Sequence, residues 1–139
     1  MEPFFERGKI RNENHAKQLN DFSGLLRRRG ITPTDIDGLI DYSGRAFILL
    51  EGKHADTELP MGQKMALENL ANAIQDGKRE VIVLIFRHNV ERYQQIKVSI
   101  QRVTEYYYER QWHTPKEPLT VFDAIVRFEG FCEKKKVTL

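Results

Sequence analysis

Cysteine is nearly missing from this chain: Cys132 is the only one in 139 residues. No intrachain disulfide can form, and a reducing compartment is the natural setting. No apolar run approaches the ~20 residues that a membrane-spanning helix needs. The opening stretch, MEPFFERGKIR, lacks the apolar core of a signal peptide. These absences set the expectation of a cytoplasmic protein with no membrane partner. Charge of one sign is scarce as well: the formal net charge is +2, so any surface for a polyanion has to be local. There is no phosphate-cradling glycine loop, no paired Cys/His zinc spacing, no Ser-His nucleophile arrangement and no internal repeat. What remains is 40% hydrophobic and 30% charged, enough for one domain over residues 1–139 with a real core.

The stretch Thr34 to Met65 carries the chemistry. Strands are predicted from Asp35 to Tyr42 and from Ala46 to Lys53, joined by the short turn Ser43-Gly44-Arg45. Side chains alternate between faces, so Ile36, Ile40, Tyr42, Ala46, Ile48 and Leu50 share an apolar face. Leu39, Phe47 and Leu49 occupy the middle of the other, with Asp35, Asp37, Glu51 and Lys53 at the end far from the turn. A register centred on Gly44 sets Asp37 opposite Glu51. A slip of one residue sends Asp37 to the wrong face, so the apolar pattern and the acidic pair demand the same register. Two carboxylates about 5 Å apart at Cβ repel unless something neutralises them. Hard oxygen ligands of this kind suit Mg²⁺.

Asp37-Gly38, a gap, then Glu51-Gly52-Lys53, followed by Gln63 at the start of a helix, resembles the PD-(D/E)XK nuclease superfamily. The resemblance covers about Asp35 to Leu70, and it departs at Ile36, where the family's name has proline. It implies a restriction-endonuclease-like α/β core, a mixed β-sheet flanked by helices in the order α-β-β-α-β-β-β-α. It implies Asp37 and Glu51 as metal ligands, Gly52 as a ligand through its backbone oxygen, Lys53 as catalytic base or charge stabiliser, and Gln63 as a residue that orients the site. Glu13 is the candidate for an extra acidic ligand on a preceding helix, with Asp35 as a competing acid beside Asp37. Mg²⁺ is the implied cofactor, with Mn²⁺ able to substitute.

The rest of the chain reads as scaffold. Ala16, Leu19, Phe22, Leu25 and Leu26 recur at helical spacing, predicting a helix from Asn12 to Arg29 stopped by Gly30. Arg27, Arg28 and Arg29 at its end are either a solvated turn or phosphate contacts. His54 is either an exposed loop residue or a further phosphate contact. A helix is expected from Pro60 to Asp76, with Leu67, Leu70 and Ile74 inward and Gln63 one turn earlier on the same line. Glu80 to Phe86, EVIVLIF, reads as a strand buried on both faces and parallel to the second hairpin strand. Gln95 to Val103 alternates and is expected to be a half-exposed strand. Tyr106 to Tyr108 and Trp112 either stack bases or, more in keeping with a twisted sheet, cover the core. Thr120 with Asp123 forms a capping-box pattern ahead of a final helix.

The function expected from all this is a metal-dependent nuclease hydrolysing phosphodiester bonds of nucleic acid, DNA ahead of RNA, with room for a homodimer or a protein partner. The alternative is a catalytically inactive binding protein that keeps the same fold.

Overall fold

The computed structural model describes residues 19–55, 57–91 and 94–139. The chain divides into two units, Met1–Thr34 and Asp35–Leu139.

In the first unit the predicted helix does not reach Arg29. From Leu19 to Arg27 the backbone is irregular, and Arg28–Gly30 is a short 3-10 turn. The cause is local: the Asp21 carboxylate accepts the Ser23 N–H at 2.9 Å and Gly24 takes φ +82°. An Asp-x-Ser-Gly turn outbids the apolar periodicity around it. Leu19, Phe22, Leu25 and Leu26, expected on a buried face, are exposed. Arg27, Arg28 and Arg29 are exposed too, and Glu13 lies outside the described residues.

The second unit is α/β, with a five-stranded mixed sheet and two helices. Its elements are β1 (Gly38–Asp41), β2 (Ala46–His54), α1 (Met61–Asp76), β3 (Glu80–His88), β4 (Arg102–Tyr108), β5 (Gln111–His113) and α2 (Val121–Lys134). Spatial order follows sequence order, β1 to β5. β2 and β3 pair in parallel across the α1 connection, and every other pairing is antiparallel. The hairpin register is the expected one, with Gly38 opposite Leu50 and Asp41 opposite Phe47. Ser43 and Gly44 both take positive φ in its turn, and Gly44 N–H donates to Asp41 Oδ1 at 2.6 Å. β1 is shorter than predicted, so Asp35 and Asp37 sit just before it.

Alternation along the strands sends two sets of side chains to two helices. Ala46, Ile48, Ile82, Leu84, Phe86 and Val103 pack with Val121, Ala124, Phe128 and Cys132 of α2. Leu49, Val81, Val83, Ile85 and Tyr107 pack with Leu67 and Ala71 of α1. Leu70, expected on the inward line of α1, is 39% exposed while Ala71 is 2% exposed. The buried line runs 67, 71, 74, the i, i+4, i+7 stripe, and leaves Leu70 on its flank. Both bonds of the α2 capping box form: Asp123 N–H donates to Thr120 Oγ1 at 3.1 Å and Thr120 N–H to Asp123 Oδ2 at 3.3 Å.

The strand expected at Gln95–Val103 is displaced. Val98–Ile100 is a 3-10 turn and the strand starts at Arg102. Arg102 already lies opposite Arg87, and β3 ends one residue later at His88, so the preceding alternation has no ladder to join. Tyr106, Tyr107 and Tyr108 belong to β4, where Tyr107 O–H donates to Asn72 at 2.8 Å. Tyr107 is buried in the core beneath α1, and Tyr106 and Tyr108 pack against the core beneath α2. Trp112, on β5, packs under α1 and donates its indole N–H to Glu68. Among the described residues no helix is long and apolar enough to cross a membrane.

Candidate metal-binding and catalytic site

Among the described residues, Glu51 is the buried charged side chain in an otherwise apolar core, 1% exposed. The alternation that points Leu49 toward α1 points Glu51 the same way, near the carboxyl end of β2. α1 starts at that end, with Pro60 as its N-cap and Gln63 in its first turn. Gln63 Nε2 donates to Glu51 Oε1 at 2.7 Å, and Lys53 Nζ stands 3.5 Å from the same oxygen. Glu51 Oε2 is buried without a hydrogen-bond partner among the described residues. Leaving such an atom unpaired costs free energy that a hydrophobic residue would avoid.

Asp37 reaches the site from the other hairpin arm: its Oδ2 accepts the Gly52 N–H at 2.8 Å. Burial is the main force pushing the Glu51 carboxyl up to about 7, reinforced by the negative charges of Asp37 and, least, Asp35, while Lys53 pulls the other way. The Asp37 charge opposes ionisation of Glu51, as their register implies.

Gly52 has a clear structural reason to be glycine. A Cβ there would meet the Phe86 ring at 2.5 Å, because Phe86 is its parallel neighbour and fills the core on the α2 side. Its N–H is the group seen in contact with a site acid.

The donor set fits a hard divalent cation. Two carboxylates lie close enough for the charge of Asp37 to act on Glu51, which carries a buried oxygen with no partner among the described residues, and Mg²⁺ is commonly held by one or two carboxylates, leaving positions for water and phosphate. Among the described residues no group of three or more His, Cys, Asp or Glu side chains is placed to hold an ion. Asp37 and Glu51 are the two carboxylates that could serve such an ion.

The sequence-predicted residues thus separate into two groups. Asp37, Glu51, Lys53 and Gln63 come together in the second unit. His54 ends β2, exposed, and alternation turns it to the opposite face. There its ring meets His88 edge-on with centroids 5.5 Å apart. Arg27, Arg28 and Arg29 belong to the first unit. Sequence reasoning missed Arg87, whose Nη1 donates to the carbonyls of His54, at 3.2 Å, and Thr57, tying down the loop that delivers α1. It also missed Lys64, which pairs with Glu105 at 3.2 Å and lies over the Trp112 ring, 4.4 Å from its centroid. The signal for Arg87 was its place directly after the EVIVLIF run, in register with Lys53.

Comparison with protein-family models, with curated proteins and with solved structures finds no match to the chain.

Proposed function

We propose that this protein is a metal-dependent nuclease that hydrolyses phosphodiester bonds of nucleic acid, DNA the favoured substrate, on a core similar to that of the PD-(D/E)XK superfamily. The observation that carries the reading is the buried Glu51 carboxylate, with one oxygen unpartnered, beside Asp37, Lys53 and Gln63. A fold selected for stability alone has no use for it, because replacing a buried charge by an apolar side chain is commonly neutral or stabilising.

Asp37 and Glu51 are the residues that would hold Mg²⁺, which when bound would supply charge neutralisation on the phosphate and a water of lowered pKa. Gln63 fixes the Glu51 carboxylate by donating to Oε1 and leaves Oε2 without a partner among the described residues. Lys53, 20% exposed at its side chain, carries its ammonium beside Glu51 at the exposed edge of the site. From there it hydrogen-bonds the attacking water or the phosphate oxygen on which charge develops. The apolar residues beneath, Leu49, Val83 and Ile85, exclude water from the floor of the site and strengthen these charge interactions.

The test is cleavage of single- and double-stranded, linear and circular DNA and RNA in Mg²⁺, Mn²⁺ or chelator, by wild type and Lys53→Ala. Metal-dependent cutting that Lys53→Ala loses by about 10²-fold or more supports the mechanism. A folded wild type that cuts nothing with either metal overturns it and leaves the catalytically inactive binding protein as the reading.

A further inference from the structure

One register step beyond Glu51, three cations stand side by side across the sheet. Lys53 of β2 lies opposite Arg87 of β3, and Arg87 lies opposite Arg102 of β4. The third member is there because of a bulge. The β3/β4 register shifts between Ile85 and Phe86, leaving Thr104 unpaired between Glu105, opposite Ile85, and Val103, opposite Phe86. Val103 consequently turns into the core on the α2 side, where it is 5% exposed. Arg102 turns to the face of Lys53, Arg87 and the site.

Like charges at facing positions destabilise a sheet, and here two such pairs adjoin in a chain whose net charge is only +2. Nearby acids relieve them only at one end, where Lys53 Nζ stands 3.5 Å from Glu51 Oε1. Glu105, on the same face, is held by Lys64 at 3.2 Å, and Glu51 by Gln63. Arg102 is exposed and makes no ion pair among the described residues. Arg87 spends one nitrogen on the His54 and Thr57 carbonyls, and a guanidinium has further N–H donors to offer. The row also lies at the carboxyl ends of the parallel strands, where the 16-residue α1 begins with no side-chain cap. The positive end of its dipole adds to the same field.

We propose that Lys53, Arg87 and Arg102 form a phosphate-binding row that grips the nucleic-acid backbone beside the bond to be cut, with Arg102 as its outer contact. This deepens the nuclease reading and rests on it for the identity of the polyanion. Strand spacing puts Arg102 about 10 Å from Lys53 along the sheet. That separation is too wide for both side chains to share one phosphate oxygen pair, so Arg102 meets a neighbouring phosphate along the strand rather than the one at Lys53.

The test is equilibrium binding of labelled DNA and RNA oligonucleotides to the full chain in chelator, across a salt series, read by fluorescence anisotropy. The proteins are wild type, Arg102→Gln, Arg102→Lys, and Lys116→Gln as an equal charge change at an exposed site elsewhere. The row predicts that Arg102→Gln weakens binding about 5- to 20-fold on every sequence and lowers the salt slope by about 1. It predicts that Arg102→Lys keeps most of the affinity and that Lys116→Gln changes little. Cleavage by Arg102→Gln should suffer in KM more than in kcat. Equal losses in Arg102→Gln and Lys116→Gln, or no loss in either, overturn the row. Cleavage by Glu51→Gln, run alongside, separates the two ideas. If wild type never cuts but binds, and Arg102→Gln selectively weakens that binding, the nuclease reading falls and the row stands. If Glu51→Gln abolishes cutting while Arg102→Gln binds normally, the row falls and the nuclease stands.

Discussion

The two faces of the sheet are built from the same strands and close on different materials. Toward α2, Ala46, Ile48, Leu84, Phe128 and Cys132 make a wholly apolar layer, and burial pushes the Cys132 thiol up to about 11, so it packs as a small hydrophobe. Toward α1, the layer starts the same way at Leu49 and Val83, then ends at the carboxyl edge on Glu51, Lys53 and Gln63. One face is accounted for by packing. The other accepts a buried, half-satisfied carboxylate that packing does not need, and the proposed function rests on that excess.

The largest effect expected from this contrast is a sign reversal. Phe128→Ala, on the α2 side, should destabilise by about 3–5 kcal/mol through a cavity. Glu51→Leu, on the α1 side, should stabilise by about 1–4 kcal/mol at neutral pH while ending cleavage. Denaturant melts of both variants check it, and a Glu51→Leu protein less stable than wild type would erase the distinction between the faces.

A smaller effect follows from protonation. The Glu51 carboxyl titrates at about 7 in the folded chain against an ordinary 4.5. The folded state therefore holds the proton more tightly, and stability falls as pH rises from about 4.5 through about 7. The loss in metal-free buffer is roughly 3 kcal/mol. Glu51→Gln, uncharged throughout, should escape it, so melting curves of the two proteins in chelator should diverge as pH rises. Curves that stay parallel would contradict the buried charge. The smallest effect belongs to Gln63→Ala, which frees the Glu51 carboxylate without removing it. Metal affinity or kcat should drop about 10- to 100-fold and stability by about 1–2 kcal/mol, measured by metal titration, single-turnover kinetics and denaturant melts. Loss of the fold in this variant would make Gln63 a packing residue.

Much of the α1 face could be read from the chain because two signals agreed. Alternation and the Gly44 turn demanded one hairpin register, and that register set Asp37 against Glu51 and turned Lys53 to their side. Gln63 followed from helix spacing. The parallel pairing of β3 was legible in the unbroken EVIVLIF run, and the α2 start in Thr120 and Asp123. Other parts depended on partners that no local pattern names. The Ile96–Ile100 alternation had no strand to pair with, so β4 began later. The turn chemistry of Asp21 to Gly24 overrode an apolar period. The Thr104 bulge, which decides the face of Arg102, exists only in the β3/β4 ladder.

The most direct measurement of the central claim is Mn²⁺ binding, followed by electron paramagnetic resonance with Mg²⁺ as competitor, in wild type, Asp37→Asn and Glu51→Gln. The account predicts a site in wild type that Mg²⁺ displaces and whose affinity falls at least about tenfold in each variant. Equal Mn²⁺ affinity in all three proteins would contradict it.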